Sequence, residues 1–437
     1  MALRSGVMSF TTMTVKITDP MPSVQSPPET AVGSLPLQEK STGGDLPICI
    51  ILPIPLFREI LSINAGSFIL KKEELFQLHI DPIREDLLRK VKKNWDQHSK
   101  PIDGFGDFED AICRIAAIMG EEVPQIHRRA LVVMIADNGV IQEQVSQVGA
   151  EVTLGVARNL GDGISTASVL AKGSHTDVFP IDIGIASDEK IPGVICRKVA
   201  RGTKNLRREA AMTEEQVLQA ISVGIQTVFE LKEKGYTILA TGEMGIGNTT
   251  TSAALLCALT GCDPKAVTGR GAGLSDEGLL RKRQVVEDGV NSYQRQASHL
   301  PAFSPEGTLF ALSRLGGLDI AGLTGVFIGG ALYHVPIIID GLISAVSALC
   351  AERFCPGCKD YMLASHSGRE GGCEMARKEL GLTSYLTGNM ALGEGTGALL
   401  LFPLLDNILY YYTHGSMFEA TKIRAYERFD EEAEERT

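Results

Sequence analysis

Short runs of β-branched and aliphatic residues recur along this chain, separated by amphipathic helical stretches, and that alternation is the pattern of βαβ units feeding a parallel sheet. The runs at 130–136, 177–183, 236–240, 335–339 and 361–364 are short and apolar enough to be buried on both faces. Polar residues or glycines follow each one: Asp137-Asn-Gly, Asp182-Ile-Gly, Gly242-Glu-Met-Gly, Asp340-Gly and Ser365-His366-Ser367-Gly368. Each is by itself an ordinary strand-to-helix turn. Ligands of open α/β sheets, however, bind at the carboxyl ends of the strands, so five such turns on one rim predict a cleft.

Ahead of the first run, residues 83–119 carry two helical patterns, the second marked by Phe108, Ile112, Ile115, Ala116 and Met119 at three- and four-residue spacing. These predict a small helical cap. Residues 18–45 are rich in Pro, Ser, Thr and Gly and cannot bury enough apolar surface to offset the entropy of ordering. The expected organisation is a disordered leader over 1–45, an irregular extension over 46–75, and a helical segment over 76–125. An α/β catalytic domain over 126–394 follows, then helices over 395–437 that complete a small domain and end in an acidic tail.

Composition narrows the function. A formal net charge of −11 opposes broad attraction to phosphate backbones, so no nucleic-acid partner is expected and a small-molecule ligand fits better. The apolar stretch at 320–339 is broken by Gly322, Gly325, Gly329, Gly330, His334 and Pro336, and reads as a buried helix followed by a strand rather than a membrane span. Nine scattered cysteines favour a reducing compartment over a disulfide framework. Cys355-Pro-Gly-Cys358 could be a redox pair or half a zinc site, but no second pair lies at finger spacing, and a structural turn is the stronger reading. Residues 1–17 lack acids but hold only Arg4 and Lys16 as basic residues, too few for a convincing transit peptide. A cytoplasmic protein is expected, with organelle import left open.

Three segments carry chemistry. Gly242-Glu-Met-Gly-Ile-Gly-Asn-Thr-Thr-Thr-Ser252 follows a strand and opens an apolar helix, so its amides form a candidate anion site, although it lacks the P-loop lysine and the third Rossmann glycine. Gly269-Arg-Gly-Ala-Gly is a second glycine loop, leading into Leu279-Leu-Arg-Lys-Arg-Gln, whose basic residues either reach a phosphate or form a solvated helix face. Leu392-Gly-Glu-Gly-Thr-Gly places Glu394 alone between glycines before a strongly apolar helix. Partial desolvation there would tune a carboxylate toward a general base; the plainer alternative is an acid at a helix N-terminus.

Taken together, these segments resemble the nicotinate-nucleotide:dimethylbenzimidazole phosphoribosyltransferase family. The likeness runs from about residue 83 to 408 and includes His98-Ser-Lys-Pro-Ile-Asp-Gly-Phe-Gly, Ala136-Asp-Asn-Gly-Val, the Gly242 and Gly269 segments, Gly316-Gly-Leu-Asp-Ile-Ala, Leu363-Ala-Ser-His and the Leu392 segment. It implies a doubly wound, mainly parallel, Rossmann-like α/β fold with a smaller helical domain, and a homodimer. It also implies transfer of ribose 5-phosphate from nicotinate mononucleotide to dimethylbenzimidazole or a related base, with inversion at C1. On this resemblance Glu394 accepts the proton of the attacking base and Glu243 stands near the reacting ribose. Gly245, Gly247, Asn248, Thr249, Lys282, Ser365 and Ser367 become nucleotide and phosphate contacts, and Asp137, Asn138 and Leu392 line the acceptor-base pocket. An imidazole nitrogen turns acidic as it is alkylated and needs only a positioned carboxylate, so no cofactor and no metal is expected.

The departures fall on the acceptor side. Asn138 stands where the family usually has histidine, Val148-Gly-Ala150 replaces a common Tyr-Pro-Gln run, and Gly104-Phe-Gly-Asp-Phe-Glu109 has an acid where a base is common. Two other readings therefore compete with the transferase: a non-catalytic nucleotide-binding homologue, and a transferase with another acceptor base.

Overall fold

The computed structural model describes residues 69–301 and 303–428. The expected leader, most of the extension and all but the start of the acidic tail lie outside them. Seven parallel strands form one sheet: β1 (Arg129–Ala136), β2 (Thr176–Gly184), β3 (Ile195–Cys196), β4 (Ile238–Met244), β5 (Ile337–Ile339), β6 (Met362–Gly368) and β7 (Ser384–Met390), in the order β3-β2-β1-β4-β5-β6-β7. All eight residues of β1 are buried, and they alternate between two cores. Ala130, Val132, Met134 and Ala136 face one layer of helices, while Leu131, Val133 and Ile135 face the other. A strand with both faces covered must be apolar at nearly every position, which is why β1 reads as an uninterrupted hydrophobic run.

The first layer holds the Glu214–Glu233, Asn248–Thr260, Pro305–Leu315, Leu318–Leu332 and Leu342–Phe354 helices. Glu214–Glu233 starts at Thr213, whose side chain accepts from the Gln216 amide while Gln216 reaches back to the Thr213 amide. It packs directly on Leu318–Leu332, because a side chain at Gly325 would collide with the Ile221 carbonyl. The stretch at 320–339 is thus a buried helix and a strand; no helix among the described residues is long and apolar enough to cross a membrane.

The second layer brings distant segments together. Glu85–Asp96 and Asp107–Met119 pack with Thr396–His414, where Trp95, fully buried, stacks on Tyr411 at 6.3 Å and meets Tyr412 at 4.8 Å. The segment from His98 to Glu109 serves this packing. His98 bridges the Asn94 and Tyr412 carbonyls, both at 2.9 Å, and Lys100 pairs with the buried Glu109 at 2.6 Å. Asp107, the acid at an altered position, lies in the first turn of its helix, where the dipole favours it.

Three strands run past their apolar runs. β4 extends through Gly242, Glu243 and Met244, β2 reaches Gly184, and β6 continues through Ser365, His366, Ser367 and Gly368. These residues, expected in turns, sit on the strands themselves, whereas Asp137-Asn-Gly and Asp340-Gly lie beyond β1 and β5. Two edge strands, β3 and β7, had no clear apolar signature: β3 is exposed at both residues and β7 is only partly covered.

Candidate active site

In this strand order the chain winds outward from β1 toward β3, then returns to place β4 on the other side of β1. Where the direction reverses, the loops leaving β1 and β4 diverge and open a crevice. A cleft lies there, lined by residues 243–249, by Gly271 and Ala272 of the second glycine loop, and by Asp340, His366, Arg369, Glu370 and residues 390–394.

Glu243 is carried by β4, opposite Met134 of β1, so its backbone is fixed by the sheet. Its carboxylate is buried and accepts from the Asn248 amide nitrogen. Burial pushes it up to about 8, against the Asn248 hydrogen bond and with Asp319, Asp340 and Glu394 nearby adding to the rise. Asn248 opens the helix after Gly247, whose φ of +98° suits glycine. Gly245 is required by space: a side chain there would collide with the Ala136 carbonyl and stand 2.9 Å from Asp319 Oδ2.

Glu394 sits between Gly393 and Gly395, and all three have positive φ, +89°, +58° and +86°. For glutamate this conformation is uncommon and must be imposed by its surroundings. Asp340 imposes it. One carboxylate oxygen accepts from Gly395 N at 3.1 Å, the other from Gly397 N and Ala398 N at 2.8 and 3.1 Å, which pins the start of the Thr396–His414 helix. Glu394, half-buried at the cleft, rests Oε2 on the Ala167 amide at 3.2 Å, in the first turn of Thr166–Gly173. Thus Glu243, not Glu394, is the deeply desolvated glutamate of the cleft.

The second glycine loop meets the first through Lys282. Its ammonium group is fully buried, donates to Thr249 Oγ1 at 2.7 Å and lies against Gly271. Burial pushes it down to about 8, partly offset by the Glu370 carboxylate. Glu370 itself accepts from Gly271 N at 3.3 Å.

Of the residues singled out from sequence, Glu243, Gly245, Gly247, Asn248, Thr249, Leu392 and Glu394 line one cleft. Lys282 lies immediately behind Thr249. Ser365 is buried below the rim, donating to the Asp340 carbonyl at 3.3 Å and bonded to His366 Nδ1 at 2.9 Å; Ser367 bonds the Leu386 carbonyl. Asp137 and Asn138 are buried behind the cleft wall. Asp137 accepts from Ala186 N at 2.8 Å, and burial raises its carboxyl. Sequence reading passed over Asp319 and the anchoring role of Asp340, since acids beside glycines are too common to stand out; only proximity in the fold distinguishes them.

The cysteines at 355 and 358 are both buried in the turn that ends Leu342–Phe354, with Gly357 at φ +99°. Cys355 Sγ lies 4.0 Å from the Leu75 carbonyl, and both side chains belong to the core of the first layer.

Residues 80–423 match the profile of a family described as Phosphoribosyltransferase. The nicotinate-nucleotide–dimethylbenzimidazole phosphoribosyltransferase of Clostridium perfringens is 40% identical over 344 residues, 79% of this chain and 93% of the relative. That of Clostridium acetobutylicum is 39% identical over 347 residues, 79% and 96% of the two chains. Among solved structures, CobT from Thermus thermophilus superposes with a TM-score of 0.72 at 35% identity, covering 78% of this chain and 99% of that one.

Proposed function

Because the chain belongs to the nicotinate-nucleotide–dimethylbenzimidazole phosphoribosyltransferase family, we propose that its cleft transfers ribose 5-phosphate from nicotinate mononucleotide to dimethylbenzimidazole or a related base. The observation that carries this assignment of the cleft is the meeting of two carboxylates, Glu243 from β4 and Glu394 from the loop after β7, with a glycine turn and a helix N-terminus at the sheet's reversal point. The phosphate lies between the Gly245–Thr249 turn and the Gly271 loop, over Lys282, with Ser365 and Ser367 supporting the β6 side from below the rim. The acceptor ring enters beside Leu392, backed by Asp137 and Asn138.

The base nitrogen attacks C1 as the C1–nicotinate bond breaks; its electron pair neutralises the pyridinium nitrogen, and nicotinate leaves. Glu394 takes the proton from the alkylated imidazole. Glu243, ionised once the pyridinium of the nucleotide is bound, faces the positive charge that builds on the ribose as the bond stretches. Holding the two rings in line supplies much of the rest.

Ile164, Val169 and Leu400 are exposed apolar residues beside Thr166–Gly173 and Thr396–His414, two helices in contact at the Glu394 side of the cleft. We infer that this face is covered in a homodimer, as sedimentation of the purified protein would reveal.

The decisive experiment follows nicotinate release from nicotinate mononucleotide with dimethylbenzimidazole, comparing wild type with Glu394→Gln. Release abolished by the substitution is expected. Nucleotide binding with no release across a panel of benzimidazole and purine bases would support a binding protein instead; release with only one other base would reassign the acceptor.

A further inference from the structure

Asp319 is the second residue of the Leu318–Leu332 helix, all fifteen residues of which are buried. Its carboxylate is fully buried. A charge so placed costs several kcal/mol unless hydrogen bonds replace water. The replacements are the Asn248 amide at 3.0 Å, the Ile320 backbone N–H at 3.0 Å and the Asn138 side-chain amide. All are neutral donors, and two lie on the loops that leave β1 and β4. Two glycines are shaped around the group as well: a side chain at Gly317 would collide with Asp319 Oδ1, and one at Gly245 would crowd Oδ2.

The same Asn248 nitrogen donates to Glu243 Oε2. Both hydrogens of one amide are therefore committed, one to each of two buried carboxylates, which fixes the plane of that amide. We propose that Asp319 is a positioning residue: by orienting the Asn248 amide it holds the Glu243 carboxylate in its working position on the cleft wall. Asp319 touches no reactant and acts only through Asn248. It also places a negative neighbour beside Glu243, together with Asp340 and Glu394, and so helps to keep the Glu243 proton in place in the empty site, whereas Asn248 opposes it.

This inference rests on the transferase reading of the cleft, and the experiment separates the two. Nicotinate release is measured across pH 6 to 10 for wild type, Asp319→Asn, Glu243→Gln and the double variant, with melting temperatures checked alongside. Removing the Asp319 charge is expected to move the rising limb of kcat/KM toward lower pH. On the alkaline plateau kcat should fall about tenfold, the scale of one lost positioning contact, with KM for the nucleotide little changed. In the Glu243→Gln background the same substitution should have no further effect on kcat. Should Asp319→Asn fail to fold, Asn248→Ala breaks the bridge from the other side and must move the same limb. An unshifted limb, or effects of the two substitutions that simply multiply, overturns the positioning role while leaving the transferase intact. A wild-type protein that releases no nicotinate removes the transferase reading, and the proposal falls with it.

Discussion

Replacing Glu243 by glutamine should make the protein more stable, by an amount that grows with pH. The carboxyl, buried in the wall of the cleft, is held up to about 8 from its ordinary 4.5, mainly by loss of water. The sign follows from linkage: a group whose folded-state pKa is raised contributes fully below its unfolded pKa, and that contribution is lost as pH rises through the folded value. Between about pH 4.5 and 8 the unfolded chain sheds this proton while the folded chain keeps it, at a cost of up to about 1.4 kcal/mol per pH unit. At pH 7 that accumulates to an upper bound of about 3 kcal/mol, which local relaxation reduces. Glutamine keeps an oxygen to accept from Asn248. Urea denaturation of both proteins at pH 5, 6, 7 and 8 tests this. The two midpoints should nearly coincide at pH 5 and separate steadily above it, with glutamine the more stable. A gap that does not change with pH would refute the claim that Glu243 is protonated in the empty cleft.

Lys282→Met removes the buried ammonium behind Thr249; the Kd for nicotinate mononucleotide by calorimetry should rise roughly 100-fold, the worth of a charge-assisted phosphate contact, while inorganic phosphate ceases to compete. Gly245→Ala pushes a methyl group against the Ala136 carbonyl, and should cost about 1–3 kcal/mol in urea denaturation while crippling turnover. Asp340→Asn can no longer satisfy three amides at the start of Thr396–His414 as an anion; a stability loss of about 1–2 kcal/mol and a drop in kcat should appear together, because the same contacts hold Glu394.

How much of this was legible in the sequence depends on whether a feature is local. The central strands are, since burial on both faces demands uninterrupted apolar runs such as Leu131, Val132 and Val133. Their ends are not: Glu243 and His366 are polar yet lie within strands, because neighbouring strands supply the hydrogen bonds that extend the ladder past the apolar run. Edge strand β7 was invisible for the complementary reason, with one free edge and partial cover that let it keep Thr387, Gly388 and Asn389. In the site, Glu394 was legible because glycines isolate it in the sequence, and Glu243 through the family resemblance. Asp319 and Asp340 were not, because their meaning lies in what they touch, Asn248 in one case and the Gly395 to Ala398 amides in the other.

The cleft poses an electrostatic question that its layout answers. A pocket lined by Glu243, Glu394, Asp340 and Glu370 is a poor general receptor for an anionic nucleotide. One buried cation offsets these acids. The buried cation, Lys282, lies under the two glycine loops, where backbone amides and a helix N-terminus also favour an anion. Glu243 and Glu394 reach the cleft from β4 and from the loop after β7. Nicotinate mononucleotide carries phosphate at one end and, at the other, a pyridinium nitrogen in a ring that also bears a carboxylate. As the glycosidic bond stretches, positive charge moves from the ring nitrogen toward C1 and then, through the incoming base, to the proton that the proposed mechanism passes to Glu394. Carboxylates in the cleft wall stabilise that charge more strongly than water could, because their positions are already fixed by Asn248, Asp340 and the sheet. The acidity that would weaken binding of phosphate alone is thus the property that favours transfer.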